Sequence, residues 1–100
     1  MLRKSDAIKI IKEKYNYLSS EYGVEKVGLF GSIVKDSITE ESDIDIIVEL
    51  RQPIGFKFIE LVEYFEKLFG RKVDVITKDG LRNIRIKKIA EGIRGNIIYV

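Results

Sequence analysis

Asp43 and Asp45 stand one residue apart in Ser42-Asp43-Ile44-Asp45-Ile46-Ile47-Val48, a run that reads as a β-strand. On a strand, residues i and i+2 point to the same face, roughly 7 Å apart along the chain. Ile44 and Ile46 then turn to the other face, and Ile47 and Val48 continue the apolar run. Two carboxylates on one face of a buried strand are costly unless something neutralises them. A hard cation such as Mg²⁺, which takes oxygen ligands, does so. Upstream, Val27-Gly28-Leu29-Phe30 reads as another strand and ends in Gly31-Ser32. Such a corner, opening a short helix, offers backbone N–H groups and a hydroxyl to a phosphate. A third acid, Asp74, sits one residue into Val73-Asp74-Val75-Ile76. If that strand lies beside the Asp45 strand, three carboxylates share one sheet surface. That suits a two-metal phosphoryl or nucleotidyl transfer site, with ions roughly 4 Å apart stabilising the attacking and leaving oxygens. Asp74 would also suit removal of a proton from the incoming hydroxyl. Cradle and carboxylates together point to chemistry on a nucleoside triphosphate.

The elements that must hold these residues can be read along the chain. Ser5 is the expected N-cap of an amphipathic helix carrying Ile8, Ile11, Tyr15, Leu18 and Tyr22, closed by Gly23. Lys26 to Phe30 is strand one, Ser32 to about Asp36 a short helix or turn, Ser37 to Ser42 a polar loop and Asp43 to Leu50 strand two. Pro53 sits where a second helix can start, with Ile54, Phe58, Leu61, Val62, Phe65 and Leu68 as its stripe and Gly70 at its end. Strand three lies within Arg71 to Thr77. Lys78-Asp79-Gly80 reads as a turn, Leu81 to about Ala90 as a last short helix, and Ile97 to Val100 as an edge strand. Spacing assigns Tyr15, Phe58 and Phe65 to the core, and leaves Tyr17, Tyr64 and Tyr99 between core and surface roles. Alternating helices and strands give an α/β fold, a small mixed β-sheet packed against helices.

Composition narrows the chemistry further. One hundred residues make one domain, 1–100, with a single core. Eighteen basic against 16 acidic residues leave a net charge of +2, which demands neither a nucleic acid nor a membrane as partner. The chain has no cysteine and no histidine, so disulfides, imidazole catalysis and Cys or Ser-His nucleophiles are excluded. No segment is long enough to cross a membrane and the first residues lack a signal-peptide core, so a cytoplasmic location is expected. The C-terminal third is basic, with Lys78, Arg82, Arg85, Lys87, Lys88 and Arg94. These read either as a solvated helix face or as a patch for a triphosphate, a protein partner or RNA.

Gly31-Ser32, followed after ten residues by Asp43-x-Asp45, resembles the signature of the polymerase-beta-type nucleotidyltransferases. Gly70-Arg71-Lys72-Val73-Asp74-Val75 resembles the third-carboxylate strand of their smallest members, the minimal nucleotidyltransferase (MNT) proteins, and the resemblance spans nearly the whole chain. It implies the α+β nucleotidyltransferase fold. It implies Gly31, Ser32 and Lys35 as nucleotide-binding residues, and Asp43, Asp45 and Asp74 as catalytic residues and ligands of two Mg²⁺ ions. It also implies a role as the antitoxin of a type VII pair, moving AMP from ATP to a tyrosine of a HEPN-domain toxin, with no membrane role and no direct nucleic-acid binding expected. The family usually carries a glycine where Asp36 stands. An acid near the phosphates would weaken triphosphate binding, so an antitoxin subunit that neutralises its toxin by binding alone is the alternative.

Overall fold

The computed structural model describes residues 2–35, 38–39, 41–82 and 97–100, with only the backbone of 81–82. Helix α1 runs Lys4–Tyr22, strand β1 Val24–Phe30 and strand β2 Ile44–Leu50; a 3₁₀ turn at Gly31–Ile33 follows β1. Helix α2 spans Lys57–Phe69, β3 Val73–Thr77, the short helix α3 Lys78–Arg82 and β4 Ile98–Tyr99. The four strands form one mixed sheet in the order β3-β2-β1-β4. β1 runs antiparallel to β2 and to β4, whereas β2 and β3 are parallel. Parallel neighbours cannot be joined by a hairpin, and α2 supplies the required crossover.

Several boundaries differ from the sequence reading, each for a local reason. α1 begins one residue before Ser5, with Arg3 at the N-cap, and the Arg3 N–H donates to Asp6 Oδ2 at 3.0 Å, one half of a capping box. α2 starts at Lys57 rather than near Pro53, after turns in which Lys57 N donates to Ile54 O and Phe58 N to Gly55 O. Lys78-Asp79-Gly80 opens α3 instead of forming an isolated turn. The Thr77 hydroxyl accepts from Gly80 N–H at 2.9 Å and so caps that first turn. The rest of the expected last helix, from Asn83 to Ala90, lies outside the described residues. Among those described, no helix is long and apolar enough to cross a membrane.

Both long helices lie on one face of the sheet. Ala7, Ile11 and Leu18 of α1 and Leu61 and Phe65 of α2 are buried against Val27 and Leu29 of β1, Ile44, Ile46 and Val48 of β2 and Val73 of β3. Tyr15, expected in this core, is 37% exposed; its hydroxyl donates to Glu25 O at 2.7 Å and ties α1 to β1. Phe58 is half-buried at the core margin. Tyr17 packs its ring on Tyr64, with centroids 4.9 Å apart, while Tyr99 is exposed beneath the Lys26 ammonium. The opposite face carries a smaller apolar layer, Phe30 and Ile47 with Ile76 and Ile97. Gly28 lets this layer close: a Cβ there would stand 2.8 Å from Ile97 Cγ2 and 2.9 Å from Ile47 Cγ2.

Phe65 is fully buried, whereas Phe56, at the entrance to α2, is 90% exposed. Phe65→Ala is expected to cost about 3–5 kcal/mol and Phe56→Ala less than about 0.5 kcal/mol. Urea unfolding at constant m-value checks both; similar midpoints for the two variants would contradict this core.

Candidate active site

The end of β1 and the starts of β2 and β3 meet at one end of the sheet. Asp45, second in β2, is in register with Phe30 of β1 on one side and with Asp74, second in β3, on the other. Register partners in adjacent strands share a face, and neighbouring strands lie about 4.8 Å apart. Asp45 and Asp74 therefore project side by side on the face away from α1 and α2. Asp43, expected within β2, sits just before it, and Ile44 N–H enters the sheet by donating to Lys72 O at 3.1 Å. Asp45 and Asp43 are half-buried; Asp74 is exposed.

Gly31 abuts this group directly. Its φ is +74°, the left-handed region that favours glycine, and a Cβ would collide with Asp45 Oδ2. The corner predicted from sequence thus packs its backbone against the strand acid. Val34 N and Lys35 N both donate to Gly31 O, at 3.1 and 3.3 Å, which closes the 3₁₀ turn around a half-buried Ser32. Lys35 is exposed at the end of this turn, and Asp36 lies outside the described residues.

Asp45 has its carboxyl pushed above its ordinary value of 3.8, first by burial and then by the charges of Asp74 and Asp43. Among the described residues none of the three acids is in an ion pair; the pairs present are Lys57–Glu21 and Lys78–Glu49. Neither are the acids already drawn into a ligand cage, since no trio of acidic side chains among the described residues is close enough to hold a metal as it stands. The donor set itself, carboxylate oxygens on a partly desolvated face beside a glycine corner, suits a hard divalent ion such as Mg²⁺ rather than a thiophilic one. A cavity of about 570 Å³ lined by Ser20, Tyr22, Arg51, Pro53 and Lys57 lies at the far end of β2, away from the acids. Site chemistry, not cavity size, singles out the acidic end.

Arg71, to which the sequence assigned no role, donates through its guanidinium Nη1 to Thr39 O at 2.9 Å and to Ser42 O at 3.2 Å. Its sequence signal was its place in the Gly70-Arg71-Lys72-Val73-Asp74-Val75 run, just ahead of β3. Of the basic C-terminal residues, Lys78 pairs with Glu49 at 3.4 Å. The Arg82 side chain and Arg85, Lys87, Lys88 and Arg94 lie outside the described residues.

Because folding raises the Asp45 pKa, the folded chain holds that proton more tightly than the unfolded chain. Stability therefore falls as pH rises from the unfolded value towards the raised folded value, and stays lowered above it. Asp45→Asn removes this penalty. Its melting temperature without ligand is expected to exceed that of the unsubstituted protein at pH 7, with the gap closing below about pH 3.8. Calorimetry across that range checks the sign; a destabilised Asn variant at pH 7 would contradict it.

Known proteins resemble this chain in sequence and in fold. The pattern of the nucleotidyltransferase domain family matches residues 7–97. A Methanocaldococcus jannaschii protein provisionally named a protein adenylyltransferase is 40% identical over 99 residues, covering 96% of each chain. The protein adenylyltransferase MntA of Thermococcus cleftensis is 36% identical over 101 residues, covering 100% of this chain and 98% of its own. A solved structure provisionally described as a minimal nucleotidyltransferase superposes with a TM-score of 0.70 at 22% identity, over 93% of this chain and 92% of that one. A toxin–antitoxin structure with AMP-PNP gives 0.65 at 19% identity, over 98% of this chain and 72% of that one. These two likenesses establish a shared fold. With the domain pattern spanning most of its length and relatives this similar end to end, the chain belongs to the nucleotidyltransferase domain family.

Proposed function

We propose that this nucleotidyltransferase moves AMP from ATP to a tyrosine hydroxyl of a partner protein, and that the partner is a HEPN-type toxin which the modification silences. The observation that carries the reading is the alignment of Asp45 with Asp74 across parallel strands, with Gly31 against Asp45. Homology to protein adenylyltransferases supports the acceptor class. The fold shared with one half of a toxin–antitoxin complex that binds an ATP analogue supports the partner. The proposed location is the cytoplasm, where ATP and such a partner meet.

In this reading Asp43, Asp45 and Asp74 would hold Mg²⁺, which would supply neutralisation of triphosphate charge and of the oxygens that gain charge in the transition state. The Gly31-Ser32 corner receives the outer phosphates through backbone N–H groups and hydroxyl, with the Lys35 ammonium at its rim. The tyrosine oxygen attacks the α-phosphorus while the bond from that phosphorus to the bridging oxygen breaks. Its proton passes to Asp74, the exposed member of the trio, and pyrophosphate leaves. The charges of Asp74 and Asp43 bear on Asp45 when nothing is bound, and among the described residues none of the three acids is in an ion pair, so ligand binding would relieve repulsion as well as add contacts.

Labelled ATP, Mg²⁺ and the toxin should give AMP on a toxin tyrosine, located by mass spectrometry, with pyrophosphate released. Asp45→Asn and Asp74→Asn should slow transfer at least ~1,000-fold, about 4 kcal/mol of barrier. ATP with Mg²⁺ at about a hundredfold excess over its dissociation constant should stabilise the fold by about 2.7 kcal/mol, and Asp43→Asn should remove the metal-dependent part. A toxin inhibited without any adduct would replace this reading with a subunit that acts by binding.

A further inference from the structure

We propose that Arg71 is a positioning residue for Asp43, fastening the turn before β2 so that Asp43 stands beside Asp45 and Asp74. The inference rests on the reading that these three acids hold Mg²⁺. Asp43 lies outside the strand, so the ladder that aligns Asp45 with Asp74 does not fix it. What holds it is the turn at Glu41-Ser42, bonded to Thr39. Ser42 N donates to Thr39 O at 3.1 Å, Thr39 N donates to Ser42 Oγ at 3.0 Å, and the two hydroxyls are 3.0 Å apart.

Arg71 joins this turn to β3. Its Nη1 donates to Thr39 O, which also accepts from Ser42 N, and to Ser42 O. The Ser42 carbonyl belongs to the peptide leading into Asp43, so holding it fixes the plane from which Asp43 departs. On the other side of Asp43, Ile44 N is held by Lys72 O. Both flanks of Asp43 are thus bonded to the dipeptide Arg71-Lys72, and Asp74 follows two residues later on the same segment. Any shift of that segment moves Asp43 and Asp74 together.

The choice of arginine follows from the chemistry. A charged donor makes stronger bonds to carbonyls than a neutral one. Arg71 makes no ion pair with an acid among the described residues, so its charge does not occupy the carboxylate it positions. The donors of the guanidinium are held in one plane, which a lysine ammonium does not reproduce.

The test uses Arg71→Met, which keeps an apolar stem and removes the donors. Mn²⁺ binding in the presence of ATP is measured by electron paramagnetic resonance, and amide hydrogen exchange is read from Ser42 to Ile44. The expected result is Mn²⁺ affinity weakened about tenfold or more, as for the loss of groups that orient metal ligands. Faster exchange at Ser42 and Ile44, whose amides donate to Thr39 O and Lys72 O, should accompany it, with the melting temperature in EDTA little changed. Mn²⁺ affinity equal to that of the unsubstituted protein, or unchanged exchange at Ser42 and Ile44, overturns the proposal while leaving the function standing. An unsubstituted chain that binds no Mn²⁺ with ATP overturns both. Should Arg71→Met not fold, Arg71→Lys is read in the same titration: a loss of about threefold or more, with faster exchange at Ser42 and Ile44, supports the tether, and full affinity refutes it.

Discussion

The parallel pairing of β2 with β3 is the constraint on which the acidic end depends. It sets Asp45 opposite Asp74 in register. A one-residue slip would send Asp74 to the helix-covered face, where Val73 and Val75 now pack. Register is defended by burial: Val73 and Val75 of β3 pack under the helices, and a slip would push them out in exchange for the Asp74 carboxylate. The core thus fixes the chemistry. The two acids meet because the apolar residues between them can be satisfied in one register only.

Much of this was legible in the sequence. The apolar alternation around Asp45 predicted its strand, and Gly31-Ser32 predicted a turn at the end of β1, whereas Asp43, expected on the same strand, sits just before it. Asp74 could be named but not aligned, because pairing between β2 and β3 depends on how α2 crosses the sheet. Boundaries were less legible where a single side chain decides them. The Thr77 hydroxyl makes Lys78-Asp79-Gly80 the start of a helix, and Gly55 and Phe56 delay α2 to Lys57. Tyr15 has core spacing, but its hydroxyl reaches the Glu25 carbonyl and keeps the ring at the rim. Arg71 was invisible because its partners are backbone carbonyls 29 and 32 residues away.

The two faces of the sheet divide the work. The helix-covered face contains most of the buried apolar residues, while the other carries acids at one end and the Phe30–Ile47 layer behind them. Along β2 this is a single alternation in which Asp45 and Ile47 point one way and Ile44, Ile46 and Val48 the other. Gly28 matters to both ends, because its missing side chain lets Ile47 and Ile97 approach and seal the layer next to the acids.

Burial of Asp45 has opposite consequences for the empty and the occupied site. Without a cation, a half-buried carboxylate beside two others destabilises the fold, and nothing among the described residues offsets it by ion pairing. With a divalent cation the same burial strengthens attraction, because fewer waters screen it. A permanent arginine partner would have stabilised the empty chain and weakened the cation by competition. The fold instead directs its nearby guanidinium, Arg71, to the carbonyls of Thr39 and Ser42. Repulsion is thereby stored among the acids while the backbone around them is held, which is the condition under which binding a cation need not reorganise the chain.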